Sequence, residues 1–182
     1  MWKVKGALLK NFVIIIRSNK TGAYDNILTE EEKEIVNQQI LDAVWYPYEY
    51  YKKLFTAVAN VEADGDPKKI EEWGFTYAKQ AVDRIHRGKS KRRSLRHAIT
   101  SYDALIKLWF NFGILKENII SDNEINIEIT EFDNEFDLHY YILMGWIRAF
   151  YGSYLDTKVS GKFLQKSWEG SGNTILKLTW NF

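Results

Sequence analysis

Two stretches of strict alternation do most to limit what this chain can fold into. Ile125, Ile127 and Ile129 alternate with Asn126, Glu128 and Thr130, and Leu176, Leu178, Trp180 and Phe182 alternate with Lys177, Thr179 and Asn181. A period of two sends one set of side chains to each face of a strand, so both stretches predict half-buried strands. Between them Leu138, Tyr141, Ile142, Gly145, Trp146, Ala149 and Phe150 share one helical face, with Asp137 as the expected N-cap. A strand over about 109–119 is expected before the turn Ser121-Asp122-Asn123, although Leu105, Leu108, Trp109 and Phe112 also fit a helix. A further strand over about 158–168 precedes the turn Glu169-Gly170-Ser171-Gly172-Asn173, and the last strand covers about 174–181. The second half therefore reads ββαββ and predicts an antiparallel sheet.

The first half has the helical period instead. Leu8, Phe12, Ile15 and Ile16 lie on one face of a helix over Val4–Arg17. Thr29 and Glu32 form a capping-box pair that opens a second helix running to about Val44. Pro47 suits the first turn of a third, with Tyr51, Leu54, Phe55 and Val58 as its buried stripe. Asp64-Gly65-Asp66-Pro67 stops that helix and starts a fourth carrying Ile70, Trp73, Gly74, Tyr77, Ala81 and Ile85 on one side. A helix resumes near Ser94. The fold class expected is α+β: four to five helices over residues 1–107, then ββαββ over 108–182, in one domain. A chain of 182 residues with 46% hydrophobic content is long enough for one core.

Several chemistries are excluded by what is missing. The chain has no Cys, which removes thiolate nucleophiles, disulfides and Cys-based metal sites and fits a cytoplasmic location. Nor does it contain a nucleophile elbow, a phosphate-binding Gly-rich motif, or an apolar run long enough to span a bilayer. His86, His97 and His139 are far apart; His139 lies near Asp133, Glu135 and Asp137, a weak surface metal site or, as the preferred reading, a solvated helix start. An enzyme is not expected.

Charge and aromaticity leave two candidate surfaces. Residues 84–97 carry Arg84, Arg87, Lys89, Lys91, Arg92, Arg93 and Arg96 and no acid, while residues 117–137 carry acids and no base. Solvated faces explain both patches; a protein partner met through Arg87, Arg92 and Arg93 ranks next, and nucleic acid is not expected because no aromatic interrupts the basic run. Aromatics make up 15% of the chain. Trp45, Tyr46, Tyr50, Trp73, Tyr77 and Trp146 are either core or the lining of an apolar ligand pocket with polar tips.

Trp-Tyr-Pro and Tyr51 at 45–51, Asp-Gly-Asp at 64–66, Gly74, Leu-Met-Gly-Trp-Ile at 143–147 and the ending Gly-Asn-x-x-Leu-x-Leu-x-Trp at 172–180 resemble a family of uncharacterised bacterial proteins described mainly from myxobacteria. That family is similar to vinyl-reductase-type (V4R) small-molecule-binding domains, and more distantly to haem–nitric-oxide-binding domains and vesicle-tethering TRAPP subunits. The resemblance implies a fold that holds a small apolar molecule or a protein partner, often as a dimer. V4R relatives often carry Cys near the last strands, where this chain has Trp168 and Leu176, so zinc is not expected. The haem domains use a proximal His and a Tyr-x-Ser-x-Arg motif; this chain lacks the motif and none of its three His stands out as the proximal one, so haem is not expected either. The expectation is a non-catalytic ligand-binding sensor module with an aromatic pocket between helices and sheet; the alternative is a docking or scaffold module using the two charged patches.

Overall fold

The computed structural model describes residues 1–85 and 94–181. It is α+β, with five helices preceding a ββαββ segment, as the sequence pattern predicts. In chain order the elements are β1 (Lys3–Lys5), α1 (Gly6–Ser18), α2 (Glu30–Asn37), β2 (Trp45–Pro47), α3 (Tyr48–Ala63), α4 (Pro67–Ile85), α5 (Leu95–Trp109), β3 (Ile114–Ser121), β4 (Glu124–Thr130), α6 (Asp137–Leu155), β5 (Val159–Gln165) and β6 (Thr174–Trp180), with a short 3-10 turn at Ser167–Glu169. The chain gathers into two compact units. One comprises Met1–Asp66 with Ile106–Phe112, the other Pro67–Leu105 with Gly113–Phe182.

In the first unit α1 and α3 form the core. Leu9, Phe12, Val13 and Ile16 are buried on α1, and Tyr51, Leu54, Phe55 and Val58 on α3. Phe12 stacks on Phe55 with ring centroids 5.0 Å apart. Burying Leu54 and Phe55, both fully enclosed, contributes roughly 1.5–3 kcal/mol apiece. The α1 stripe is rotated from the expected one, because Leu9 and Val13 rather than Leu8 and Ile15 face inward. Helix α1 also starts two residues late. Lys3-Val4-Lys5 is itself an alternation, and it pairs antiparallel with Trp45–Pro47, placing Val4 in the core. Asn111 secures the same ribbon: its side-chain oxygen accepts the Lys3 amide at 2.6 Å.

The capping box opens α2 as expected, with the Thr29 side chain accepting the Glu32 amide and the Glu32 carboxylate accepting the Thr29 amide. Its end at Asn37, well short of Val44, has a cause outside the helix. The guanidinium of Arg17 donates to the Val36 and Gln38 carbonyls, at 2.8 Å in each case. A cation placed on the orphan carbonyls of a helix C-terminus satisfies them and opposes the dipole. α3 ends where Asp64 adopts φ 55°, the left-handed C-cap that precedes a helix stop.

The second unit is built on the contact between α4 and α6. Gly74 lies against the Ile142 carbonyl, and Gly145 against the Glu71 carbonyl and the Phe75 amide. A Cβ at Gly145 would stand 2.6 Å from the Phe75 nitrogen, and one at Gly74 would stand 2.9 Å from the Ile142 carbonyl carbon. Glycine is thus required at both places for the two backbones to approach. Arg148 on α6 forms an ion pair with Glu71 on α4, with both side chains about one-quarter exposed.

The antiparallel sheet of this unit has the order β3-β4-β6-β5. Ile125 pairs with Leu178 and Ile127 with Leu176, so the two alternating stretches are neighbours and their apolar sets share the buried face. β5 joins β6 in the predicted place, although it stops at Gln165, after a register shift. The expected strand over 109–119 is corrected. Helix α5 continues to Trp109 and β3 begins at Ile114. Ala98, Tyr102, Ile106 and Phe110 are buried at every fourth position, a helical spacing that outweighs the short alternation at 110–114. Asp137 is likewise the first helical residue rather than the N-cap, which is Phe136.

Gly145→Ala should destabilise the protein by about 1–3 kcal/mol through overpacking of the α4–α6 contact. The loss would be read as a lowered melting temperature by circular dichroism, with Gly172→Ala as a reference at a turn where no atom lies within 4 Å of the new Cβ and the backbone is not left-handed.

Candidate functional site

The aromatic residues singled out in the sequence fall into both units. Trp45 is on β2 and 37% exposed, with the Lys5 ammonium 4.2 Å from its ring centroid. Tyr46, next along the strand, points to the opposite face, where its hydroxyl accepts the Leu41 amide at 3.0 Å. Tyr50 is half-buried on α3. Trp73 and Tyr77 lie one turn apart on α4, the first half-buried and the second exposed, and Trp146 is half-buried on α6. Trp45, Tyr46 and Tyr50 thus belong to the first unit, and Trp73, Tyr77 and Trp146 to the second. Arg87, Arg92 and Arg93 lie outside the described residues.

Residues not picked from the sequence form a buried polar cluster in the second unit. Tyr102 on α5 and Tyr151 on α6 are buried with ring centroids 6.0 Å apart. Burial raises both phenols well above their ordinary value, and the negative charge of Glu117 pushes each further up. Both hydroxyls therefore remain protonated donors beside a carboxylate. Glu117 is on β3 in the half-buried register it shares with Leu115, between exposed Lys116 and Asn118. Glu117 is thus a charge on the inward side of an alternating strand, which sets it apart from the single acidic face expected over residues 117–137. Other members of that face also have specific contacts: Glu124 pairs with Lys177 at 2.6 Å, and Glu128 accepts from Asn173.

A second polar group ties the 3-10 turn to the sheet. The Ser167 amide donates to the Thr174 hydroxyl at 3.1 Å, and the two hydroxyls are 2.9 Å apart. The adjacent Trp168 stacks on Tyr140 of α6 with centroids 4.9 Å apart. These contacts position the ends of β5 and β6 on α6.

The two described histidines have opposite environments. His139 is 3% exposed and stacks on Phe132 at 4.9 Å, with Phe136 and Tyr140 around it. Burial lowers its pKa to about 3, against the opposing pull of Asp133. The solvated helix start expected here is therefore corrected: Phe132 and Phe136 close over the imidazole. His97 is exposed in the first turn of α5, where its amide donates to the Ser94 hydroxyl at 3.3 Å. Its ring faces Tyr154, with centroids 5.8 Å apart and 30° between the planes. Among the described residues no group of three or more His, Cys, Asp or Glu side chains is placed to hold a metal ion.

A neutral buried histidine links folding to pH. Unfolding frees the imidazole to bind a proton near its ordinary pKa of about 6.5, whereas the folded protein holds it unprotonated down to about 3. The stability contributed by His139 is thus present above about pH 6.5 and lost as pH falls from there towards 3. Melting temperatures at pH 7 and pH 5 should differ more for the native protein than for His139→Phe, and equal differences would contradict this linkage.

No protein-family model matches the sequence, and no curated protein matches it. Solved structures do match the fold along almost its entire length. An H-NOX protein from S. oneidensis in the Fe(II)NO ligation state aligns with a TM-score of 0.64 at 9% identity, covering 97% of this chain and 99% of that one. A mutant H-NOX protein from K. algicida in the Fe(II) unliganded state gives 0.63 at 10% identity, covering 98% and 97%. A structure from work on haem distortion in the H-NOX family gives 0.62 at 14% identity, covering 98% and 94%. These neighbours correct the expectation against haem: the missing Tyr-x-Ser-x-Arg motif does not set haem aside for a chain whose fold is shared with H-NOX proteins studied for their haem and ligated iron. At these identities the likeness establishes the fold, and the fold of this chain is that of the H-NOX proteins.

Proposed function

We propose that this chain is a non-catalytic sensor module that holds a small molecule, with haem as the first ligand to consider. The observation that carries this reading is the H-NOX fold, matched over 97% of the chain by a protein with Fe(II)NO. Haem iron needs an axial ligand such as a neutral imidazole nitrogen. Of the two described histidines, His97 fits that role, because its imidazole is exposed and lies against an aromatic ring. His139 does not, being enclosed by Phe132, Phe136 and Tyr140. Bound haem would supply an iron able to take a diatomic gas. The chain's own part is to present the imidazole and an apolar surround, for which half-buried Trp73 and Trp146, in the same unit as His97, are the aromatic candidates.

Haemin titration into the purified protein tests this reading. A Soret band that saturates at one equivalent is expected, together with a shift on adding nitric oxide to the reduced protein. His97→Ala should weaken uptake at least about tenfold, the loss of roughly 1.4 kcal/mol, and His139→Phe should leave the spectrum in place. No saturable band overturns the haem reading, and an unchanged spectrum in His97→Ala overturns the assignment of His97.

A further inference from the structure

We infer that the loop before β2, with the face of the β1–β2 ribbon beside it, is a docking surface for an anionic lipid membrane. Leu41, Val44 and Trp45 are 50%, 43% and 37% exposed within five consecutive residues. Scattered exposed apolar side chains are ordinary, but a contiguous group marks a contact surface.

The loop is also held in place. The Val44 carbonyl accepts the Gly6 amide at 2.9 Å, and the Asp42 carbonyl accepts the Ala7 amide at 3.1 Å. The Leu41 amide donates to the Tyr46 hydroxyl, and the Lys5 ammonium donates to the Ala43 carbonyl at 2.7 Å. With its backbone bonded in this way, the loop cannot turn its apolar side chains inward without giving up those bonds. Exposure is therefore built into the fold.

Charge selects the occupant. The first 24 residues contain no acid, and Lys3, Lys5 and Lys10 lie on the elements that frame the loop. Register places Lys5 opposite Trp45 and Lys3 opposite Pro47, on the same face of the ribbon. Asp42 is the single acid within residues 38–45, and Lys10 pairs with it at 3.0 Å. The face thus combines an indole, two aliphatic side chains and a surplus of ammonium groups. Trp belongs at the headgroup level of a bilayer, aliphatic side chains enter the acyl boundary, and lysines gain from anionic headgroups. No helix among the described residues is long and apolar enough to cross a membrane, so the contact is with its surface.

The test is co-sedimentation of the full chain with phosphatidylcholine vesicles containing about one-third phosphatidylserine, beside vesicles of phosphatidylcholine alone. Binding to the anionic vesicles alone, weakened by salt, is expected. Leu41→Asp and Trp45→Ala should each lower partitioning roughly tenfold, Trp45→Phe should restore most of it, and Lys3→Gln should cost about fivefold. Melting curves confirm that each variant is folded; should Leu41→Asp fail, Lys3→Gln and the salt series decide. Equal binding to both vesicle types, or no loss in any folded variant, overturns the proposal. So does a concentration-dependent dimer that Leu41→Asp abolishes without any vesicle binding, which would make the face a contact between two copies of this chain.

Discussion

Gly74 and Gly145 allow the backbones of α4 and α6 to touch, and much of the second unit follows from that contact. With the helices this close, Arg148 can reach Glu71 and the Val159 carbonyl. A neighbouring side of α6 meets the sheet, where Gly161 of β5 admits the Met144 sulfur and the Arg148 side chain. A helix pressed between another helix and a sheet must be apolar on nearly every side, and α6 buries residues from His139 to Leu155 around its circumference. The buried histidine is a product of the same arrangement. Once α6 is enclosed, a residue near its start can be solvated only if the preceding loop stays open, and Phe132 and Phe136 close it.

What the sequence made legible were features set by local periodicity. The strands of Ile125–Ile129 and Leu176–Trp180, the capping box at Thr29 and the stripe on α3 depend on spacing within a few residues, and all are present. Misread features depend on distant partners. α2 stops because Arg17, from another helix, takes its last carbonyls. Lys3–Lys5 is a strand because Trp45–Pro47 lies beside it, and three residues are too few to declare themselves. The end of α5 was ambiguous since Phe110, Phe112 and Ile114 alternate while Tyr102, Ile106 and Phe110 repeat by four, and the longer pattern prevailed.

The candidate site was less legible than the fold, for a related reason. Aromatic side chains serve as core, pocket or surface equally well, and only burial separates these uses. Trp45 and Tyr46 are adjacent in sequence yet face opposite sides of the ribbon, one exposed and one bonded beneath the loop. Glu117 carried the opposite signal, a charge in the inward register of a strand, with two tyrosines from separate helices drawn to it. The haem expectation shows how far a motif argument reaches. A short motif speaks for one way of holding a group, whereas the fold speaks for the whole scaffold.

The two units are interleaved along the chain, which crosses from one to the other after residues 66, 105 and 112. No single truncation isolates either unit with all of its parts. A fragment ending at residue 105 lacks Phe110, whose ring meets Tyr51 at 6.1 Å, and Asn111, which bonds the first strand. A fragment beginning at residue 67 carries the Ile106–Phe112 segment without the elements it packs on. Anyone dividing this protein for separate study would need circularly permuted or linker-joined versions, and a protease that nicks the chain after residue 105 would leave each fragment with a piece belonging to the other unit.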